Sequence, residues 1–461
     1  MTDVDDAIVS LSAHRSADDV GDDTLALLFS ATHCGALRYV AAWGQWLRWA
    51  GAVWERDTTL AVYDMVRSLC RAQIAPGTDA RTAKYLRRAT TVAAVEHMAR
   101  SDRRHAATAD QWDADPWLLG TPGGTVDLRT GMLKPADRGD HITKLTTVAP
   151  DFDAGCPLWL AFLSRITDGN EALEDYLQRL VGYCLTGSTR EQMFAFFYGT
   201  GANGKGVFLN TVSAILGAYA HVAPADTFEA SRGDRHPTEL AALQGARLVC
   251  SQETEEGRRW AESRIKALTG ADPITARYMR QDFFTFLPTF KLLMAGNHRP
   301  GLRNIDEAMR RRLHMVPFEV SIPKSERDPH LVEKLRAEHG AILAWAIGGC
   351  LAWQTTGLQP PECVVAATAE YFSAQDSFSA WLDERTERAS PHTWESSSEL
   401  FASWRSWADA ANEHAGDAKA FAEAMRRKGF EAKRNSQTRK TGWLGLQLVR
   451  ADYTDSGRYG G

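Results

Sequence analysis

The stretch FAFFYGTGANGKGVFLNTV, Phe194 to Val212, constrains this chain more than any other. An apolar run of strand length enters a glycine-rich turn and passes at once into a helical pattern. Gly199, Thr200, Gly201, Ala202, Asn203, Gly204 and Lys205 fill G-x-x-x-x-G-K. Glycines in that pattern let backbone N–H groups close around phosphates, and the helix N-terminus adds a favourable dipole. Lys205 would reach the β- and γ-phosphates as a point charge, which makes ATP with Mg²⁺ the expected ligand.

Gly206 stands where such a loop usually carries serine or threonine, so the hydroxyl that ordinarily ligates Mg²⁺ is missing. Thr211 is too distant to replace it, ~7.5 Å further along a helix axis. Mg²⁺ keeps several waters among its ligands, so a water could fill the place and metal binding would weaken. The alternative is a site that binds nucleotide without hydrolysing it.

Composition bounds the classes. At 461 residues the chain has room for several domains, and its net charge of -5 gives no global field for nucleic acid. Any DNA contact must come from local basic patches. The seven cysteines are scattered, odd in number and without a CxxC pair, which argues against a disulfide framework or zinc ribbon and fits a reducing cytoplasm. The start, MTDVDDAIVS, is acidic where a secretory signal is basic, and the apolar run AILAWAIGGCLAW is too short to span a bilayer. A cytoplasmic protein with no membrane partner is expected.

The expected fold class is α/β. Residues 1–150 read as mostly helical, ending in a short β connector at TPGGTVDLRTGMLKPADRGD. Trp43, Trp46, Trp49 and Trp54 read as the aromatic face of a helix packed into a core, with a base-stacking platform as the alternative. Over 151–325 the runs MFAFFY, RLVCSQ, FKLLMAG and HMVPFEV alternate with helical stretches, the mark of a mostly parallel sheet. Residues 326–375 read as a helical extension, and 376–461 as helices followed by a basic stretch and a short strand, WLGLQLV.

The loop has companions in order. RLVCSQETEEG runs a strand into Glu253, placed to orient a water for attack on the γ-phosphate or to hold Mg²⁺ through that water. FKLLMAGNHRP ends a second strand in Asn297, whose amide could meet the γ-phosphate or the attacking water. DEAMRRRLHMVPF sets Arg310, Arg311 and Arg312 before a third, where an arginine presented to a neighbouring subunit would stabilise transition-state charge.

In that order, GTGANGKG, LVCSQETEEG, LTGADPITARYMRQDFFTFLPTFKLLMAGNHRP and RRRLHMVPF resemble the superfamily 3 helicases of the phage and plasmid primase-helicase group, relatives of poxvirus-type primase-helicases. GGTVDLRTGMLKP and CPLWLAFLSRITDGNEALEDYLQRLVGYCLTG resemble the region those proteins carry before the loop. The resemblance implies a central P-loop AAA+ type ATPase, assembled as a ring, usually a hexamer, around DNA. By it Lys205 is the Walker A lysine, Glu253 the Walker B acid and Asn297 the sensor. Arg311 and Arg312 match the paired arginines, with Arg311 favoured as the finger. Many relatives carry a primase upstream; this chain shows neither zinc-ribbon cysteines nor an acidic catalytic set there, so no primase activity is expected. A separate primase or polymerase would be a partner.

DNA contacts are expected in two places. DPITARYMRQDFFTF reads as a hairpin; in similar helicases it projects into the ring's pore, which offers Arg277 and Arg280 for phosphates and Tyr278 or Phe283 for stacking. Burial of those aromatics in the hairpin base stands equally. RRKGFEAKRNSQTRKTG gathers Arg426, Arg427, Lys428, Lys433, Arg434, Arg439 and Lys440 and resembles a winged helix, against a solvated basic face. The function expected is an ATP-dependent DNA helicase acting on single-stranded and fork DNA during replication of a phage, plasmid or integrated element. Its alternative is a nucleotide-dependent initiator or loader with little hydrolysis.

Overall fold

A computed structural model describes residues 20–230, 238–252, 258–279, 282–302, 306–411, 413, 415–436 and 438–449, the side chain of Arg427 apart. The chain forms two compact units, Met1–Gly301 with Arg311–Val365, and Leu302–Arg310 with Ala366–Gly461.

In the larger unit the first segment mixes helix and sheet. Helices Asp22–His33, Ala61–Ala72, Ala80–Leu86 and Ala89–Ser101 accompany a four-stranded sheet of Trp54–Arg56, Gln45–Trp49, Leu37–Val40 and Ala106–Ala107, in that spatial order. The tryptophans therefore do not line a helix. Gly44 and Gly51, at φ of +62° and +95°, punctuate the run, so Gln45–Trp49 and Trp54–Arg56 are antiparallel strands. Alternation then sends neighbouring side chains to opposite faces. Trp46 packs among Leu25, Phe29 and Val95, while Leu47 joins Val40, Trp54 and Trp112 in a separate cluster. Trp46 donates to Glu96 Oε1 at 2.6 Å, and Trp54 to the Arg138 carbonyl at 3.0 Å. The expected β connector is an antiparallel meander, Leu118–Thr121, Gly124–Asp127 and Met132–Lys134.

The centre of the unit is a five-stranded sheet of β1 (Phe194–Tyr198), β2 (Ala220–Val222), β3 (Leu248–Gln252), β4 (Lys291–Gly296) and β5 (Leu313–Pro317). Every pairing is parallel and the order is β5-β1-β4-β3-β2. Each residue of β1 and β4 is buried, which is why β1, and β4 after Lys291, read as apolar runs. Helix α1 (Lys205–Leu216) follows β1, and helices Pro157–Thr167, Glu171–Leu185 and His339–Thr356 complete the core around Trp159, Tyr176, Phe208 and Trp353. The mixed α/β class with a parallel sheet is thus as expected. From β1 the chain travels to the far edge at β2, then returns through β3 and β4 and steps past β1 to β5. The connection leaving β1 runs one way along the sheet and that leaving its neighbour β4 runs the other, and open α/β sheets carry their ligand crevice at the carboxyl end of such a switch point.

At the opposite end of the sheet Lys291 and Arg247 are buried. Lys291 donates to the carbonyls of Thr186, Ser188 and Thr289 and lies 4.7 Å from the Tyr183 ring centroid. Arg247 donates to the carbonyls of Leu185 and Leu118. Burial first, and Arg247's charge second among the lowering influences, push the Lys291 pKa down to about 7. The unfolded chain, with an ordinary lysine near ~10.4, then binds more protons than the folded one above pH 7, so stability rises with pH there. Between pH 7 and 8.5 the rise from this group is expected to be about 2 kcal/mol. Melting temperatures of wild type and Lys291→Met across that window check it: the variant should lose most of the rise, and parallel curves would refute it.

Candidate functional site

The loop between β1 and α1 is held open by backbone geometry. Gly199, Gly201, Ala202 and Gly204 have φ of +155°, +98°, +51° and +84°. At two of these positions packing also demands glycine. A Cβ on Gly199 would stand 2.1 Å from the Phe318 carbonyl oxygen, and one on Gly204 would stand 2.5 Å from Ile166 Cγ2. Asn203 braces the loop by donating to the Phe318 carbonyl at 2.8 Å, and Ile322 N–H donates to the Ala202 carbonyl at 2.9 Å. The chain after β5 therefore fixes the loop from one side.

Lys205 opens α1 and is only 6% exposed. Its ammonium donates to the Gly199 carbonyl at 2.9 Å, Asn203 Oδ1 at 3.0 Å and Asn297 Oδ1 at 3.3 Å. All three acceptors are neutral, and burial lowers the lysine's pKa. An anion arriving at the loop would favour the charged form again. The first-turn N–H groups of α1 lack intrahelical acceptors, as at every helix start, and carry the positive end of the helix dipole. A glycine turn, a helix start and a buried cation are together the features that suit an anion such as phosphate.

Asn297 arrives there through the strand order. It follows β4, whose Gly296 pairs with Tyr198 at the end of β1, so Asn297 and Gly199 leave neighbouring strands side by side. Glu253 follows β3 directly but lies outside the described residues, as does Arg280. Thr211 is buried within α1. Among the described residues no group of three or more His, Cys, Asp or Glu could cage a metal.

Gly206 is not forced by packing. Among the described residues outside its own helix, a Cβ there would meet Gln252 Oε1 alone, at 3.7 Å, an ordinary contact. Gln252, the last residue of β3, donates through Nε2 to Asn210 Oδ1 at 2.8 Å. Neither Gln252 nor Asn210 stands out in the sequence, because nothing in their spacing links the end of β3 to the first turns of α1.

The arginine triplet is split. Arg311 is exposed, whereas Arg312 is 7% exposed and its carbonyl accepts from Phe194 N–H at 2.8 Å, extending the β1–β5 pairing. Arg310, in the smaller unit, lies with its guanidinium 4.9 Å from the Phe372 ring centroid.

The expected hairpin is present, with Ile274–Ala276 paired antiparallel to Phe284–Phe286. Its two aromatic candidates differ. Tyr278 stacks on Phe284 at 5.3 Å and donates to the Ala241 carbonyl at 3.1 Å, while Phe283 is 60% exposed beneath the Arg277 guanidinium, 4.9 Å away.

The smaller unit packs helices Ser397–Ala410 and Ala418–Arg427 against a three-stranded sheet ordered Trp394–Ser396, Thr441–Leu444, Ala432–Arg434. The last two form a hairpin, and Lys433, Arg434, Arg439 and Lys440 are exposed along it and its turn; Arg426, near the end of the second helix, is exposed too. Lys428 departs from the expected patch, because its ammonium is committed to Asp376 at 2.5 Å and to Ser379 Oγ. The Arg427 side chain lies outside the described residues. No described helix is long and apolar enough to cross a membrane.

Two family models match the chain. One is described as D5 N terminal like and covers residues 26–168. The other is a family of unknown function, DUF5906, over residues 197–312. A protein of Acanthamoeba polyphaga mimivirus named "Putative helicase L207/L206" is 25% identical over 297 residues, covering 59% of this chain and 31% of that protein. Protein 022R of Frog virus 3 (isolate Goorha), named in the same terms, is 26% identical over 313 residues, 63% of this chain and 30% of its own length. The chain thus spans about a third of the length of these relatives. Among solved structures, the apo C-terminal region of NrS-1 matches 93% of this chain and 100% of its own at a TM-score of 0.51 and 8% identity. Its A form matches 92% and 99% at a TM-score of 0.50. At that identity the likeness is one of fold alone. By sequence the chain is similar to D5-type viral proteins named as helicases, and by fold to the NrS-1 C-terminal region.

Proposed function

We propose that this chain is an ATP-dependent DNA helicase of the superfamily 3, AAA+ type, working as a ring on single-stranded DNA at a replication fork. The observation that carries the reading is the meeting of Lys205 with Asn297 at the glycine loop, where the sheet's winding reverses. A parallel sheet could end in a glycine turn without function. It has no structural need to bring a buried lysine and a strand-end asparagine from 92 residues away to the same turn.

The residues fit a nucleoside triphosphate with a divalent cation. Gly199, Gly201 and Gly204 give the loop its positive-φ backbone, and Lys205 offers a cation among neutral oxygens. When bound, Mg²⁺ would neutralise charge on the β- and γ-phosphates. Lys205 would hold those phosphates, Asn297 would position the attacking water, and Glu253 would orient that water and hold the metal through another. Arg311 is the finger offered to a neighbouring subunit: exposure lets it leave its own chain, while burial keeps Arg312 in the β1–β5 seam. Arg277 and Phe283 would meet phosphate and base in the pore, with Arg280 beyond them. The smaller unit would grip duplex DNA as a winged helix, using Arg426 and the hairpin cations Lys433, Arg434, Arg439 and Lys440.

The test is ATP hydrolysis by the purified protein, with and without single-stranded DNA, across a Mg²⁺ titration. DNA-stimulated turnover is expected, and Arg311→Ala should cut it ~10³-fold or more while nucleotide binding persists. Adding Arg311→Ala protein to a Lys205→Ala variant should restore part of the turnover, because each supplies what the other lacks at a shared interface. Nucleotide binding without turnover at any Mg²⁺ concentration would overturn the motor reading in favour of an initiator or loader.

A further inference from the structure

The place left by the missing hydroxyl is bordered by the last residue of β3. Among the described residues outside its own helix, Gln252 Oε1 is the atom that a Cβ built on Gly206 would meet, at 3.7 Å. A serine's oxygen would sit one bond beyond that Cβ, in the space Gln252 Oε1 borders. The amide is oriented as well as near. Its Nε2 donates to Asn210 Oδ1 at 2.8 Å, which turns the carbonyl oxygen toward Gly206. Asn210 lies four residues after Gly206 on α1, hence on the same face of the helix. Glycine, asparagine and glutamine thus form one arrangement spanning the helix start and the end of β3.

We infer that Gln252 supplies the neutral oxygen that Gly206 lacks, and that it holds the divalent cation of the nucleotide complex, directly or through one of the cation's waters, with Asn210 as the positioning residue. The inference rests on the nucleotide reading of the loop. Its chemistry is that of a hard cation, which takes amide carbonyl and hydroxyl oxygens alike. Replacing one neutral oxygen by another leaves the charge of the site unchanged, so Lys205 and Glu253 need no adjustment. Because the side chain is longer and comes from a different element, the exchange needs an empty position at 206, and glycine provides it. The site then departs from the ordinary loop without losing its metal.

Binding of a fluorescent, non-hydrolysable ATP analogue to the full chain, titrated with Mg²⁺ from an EDTA baseline, tests this. Gln252→Ala should raise the Mg²⁺ concentration for half-maximal enhancement by roughly tenfold or more and leave affinity in EDTA unchanged. Asn210→Ala should give a smaller shift in the same direction. Combining Gly206→Ser with Gln252→Ala should return the Mg²⁺ requirement to within about threefold of wild type, whereas Gly206→Ser alone should change it little; that coupling would mark the two positions as alternatives. Gln252→Ala with the wild-type Mg²⁺ dependence would overturn the inference. So would an equal loss of affinity in EDTA, which a merely structural role predicts, or a serine that fails to rescue. Wild-type protein that binds the analogue equally with and without Mg²⁺ would overturn this inference alone. Wild-type protein that does not bind at all would overturn the nucleotide reading with it.

Discussion

Lys205→Ala is expected to lower affinity for an ATP analogue by more than about a hundredfold while leaving the protein folded. The lysine offers its charge to three neutral oxygens, Gly199 O, Asn203 Oδ1 and Asn297 Oδ1. A charge-assisted hydrogen bond contributes about 1.5–3 kcal/mol, so losing two of them from bound phosphates costs on the order of 3–6 kcal/mol. Each ~1.4 kcal/mol is tenfold in affinity. In the free protein the balance differs. Truncation leaves two side-chain amide oxygens without this donor, but it also removes a buried charge whose desolvation is seen in its lowered pKa. The two effects oppose each other, and the melting temperature should move by no more than about 3 °C. Fluorescence titration beside a thermal melt separates the effects. Unchanged affinity in a folded variant would show that the glycine loop is not the phosphate site.

What the sequence revealed depended on how each element is buried. β1, β3, β4 and β5 are strands covered by helices, so they appear as apolar runs at the expected places. β2 was illegible, since Ala220, His221 and Val222 form a three-residue edge strand with little burial to pattern it. The tryptophan run misled for the opposite reason. Trp43, Trp46 and Trp49 recur every three residues, which suits a helix, yet Gly44 and Gly51 fold the segment into a sheet with a cluster on each face. The loop was readable because its chemistry is local. Its meeting with Asn297 was not readable from spacing, because only the strand order places β4 beside β1. Gln252 was invisible for the same reason, as was the division between an exposed Arg311 and a buried Arg312, which follows from the register of β5 on β1.

Adjacent glycines on one helix should respond to alanine in opposite directions. Gly348 and Gly349 lie on His339–Thr356, which crosses Glu171–Leu185 with backbones in contact. A Cβ on Gly349 would stand 2.1 Å from the Gln178 carbonyl oxygen and 2.6 Å from its carbon. Across the crossing, a Cβ on Gly182 would stand 2.1 Å from Cys350 N. These are backbone atoms of two packed helices, so no rotamer change relieves the overlap and the helices must part. Parting them opens the core around Leu180, Val181, Ile347 and Trp353. Gly349→Ala is therefore expected to destabilise the protein by about 3 kcal/mol or more, a fall of roughly 6–12 °C in melting temperature. Gly348 faces solvent, and among the described residues outside its own helix a Cβ there meets Gln178 Nε2 alone, at 3.7 Å. Gly348→Ala should gain about 0.5–1 kcal/mol from helix propensity alone. The pair shares helix, neighbours and chemistry, so the difference between them isolates the close approach. Equal melting temperatures for the two variants would mean that the helices do not cross at Gly182 and Gly349, and the helical layer supporting β1 and its loop would have to be built differently.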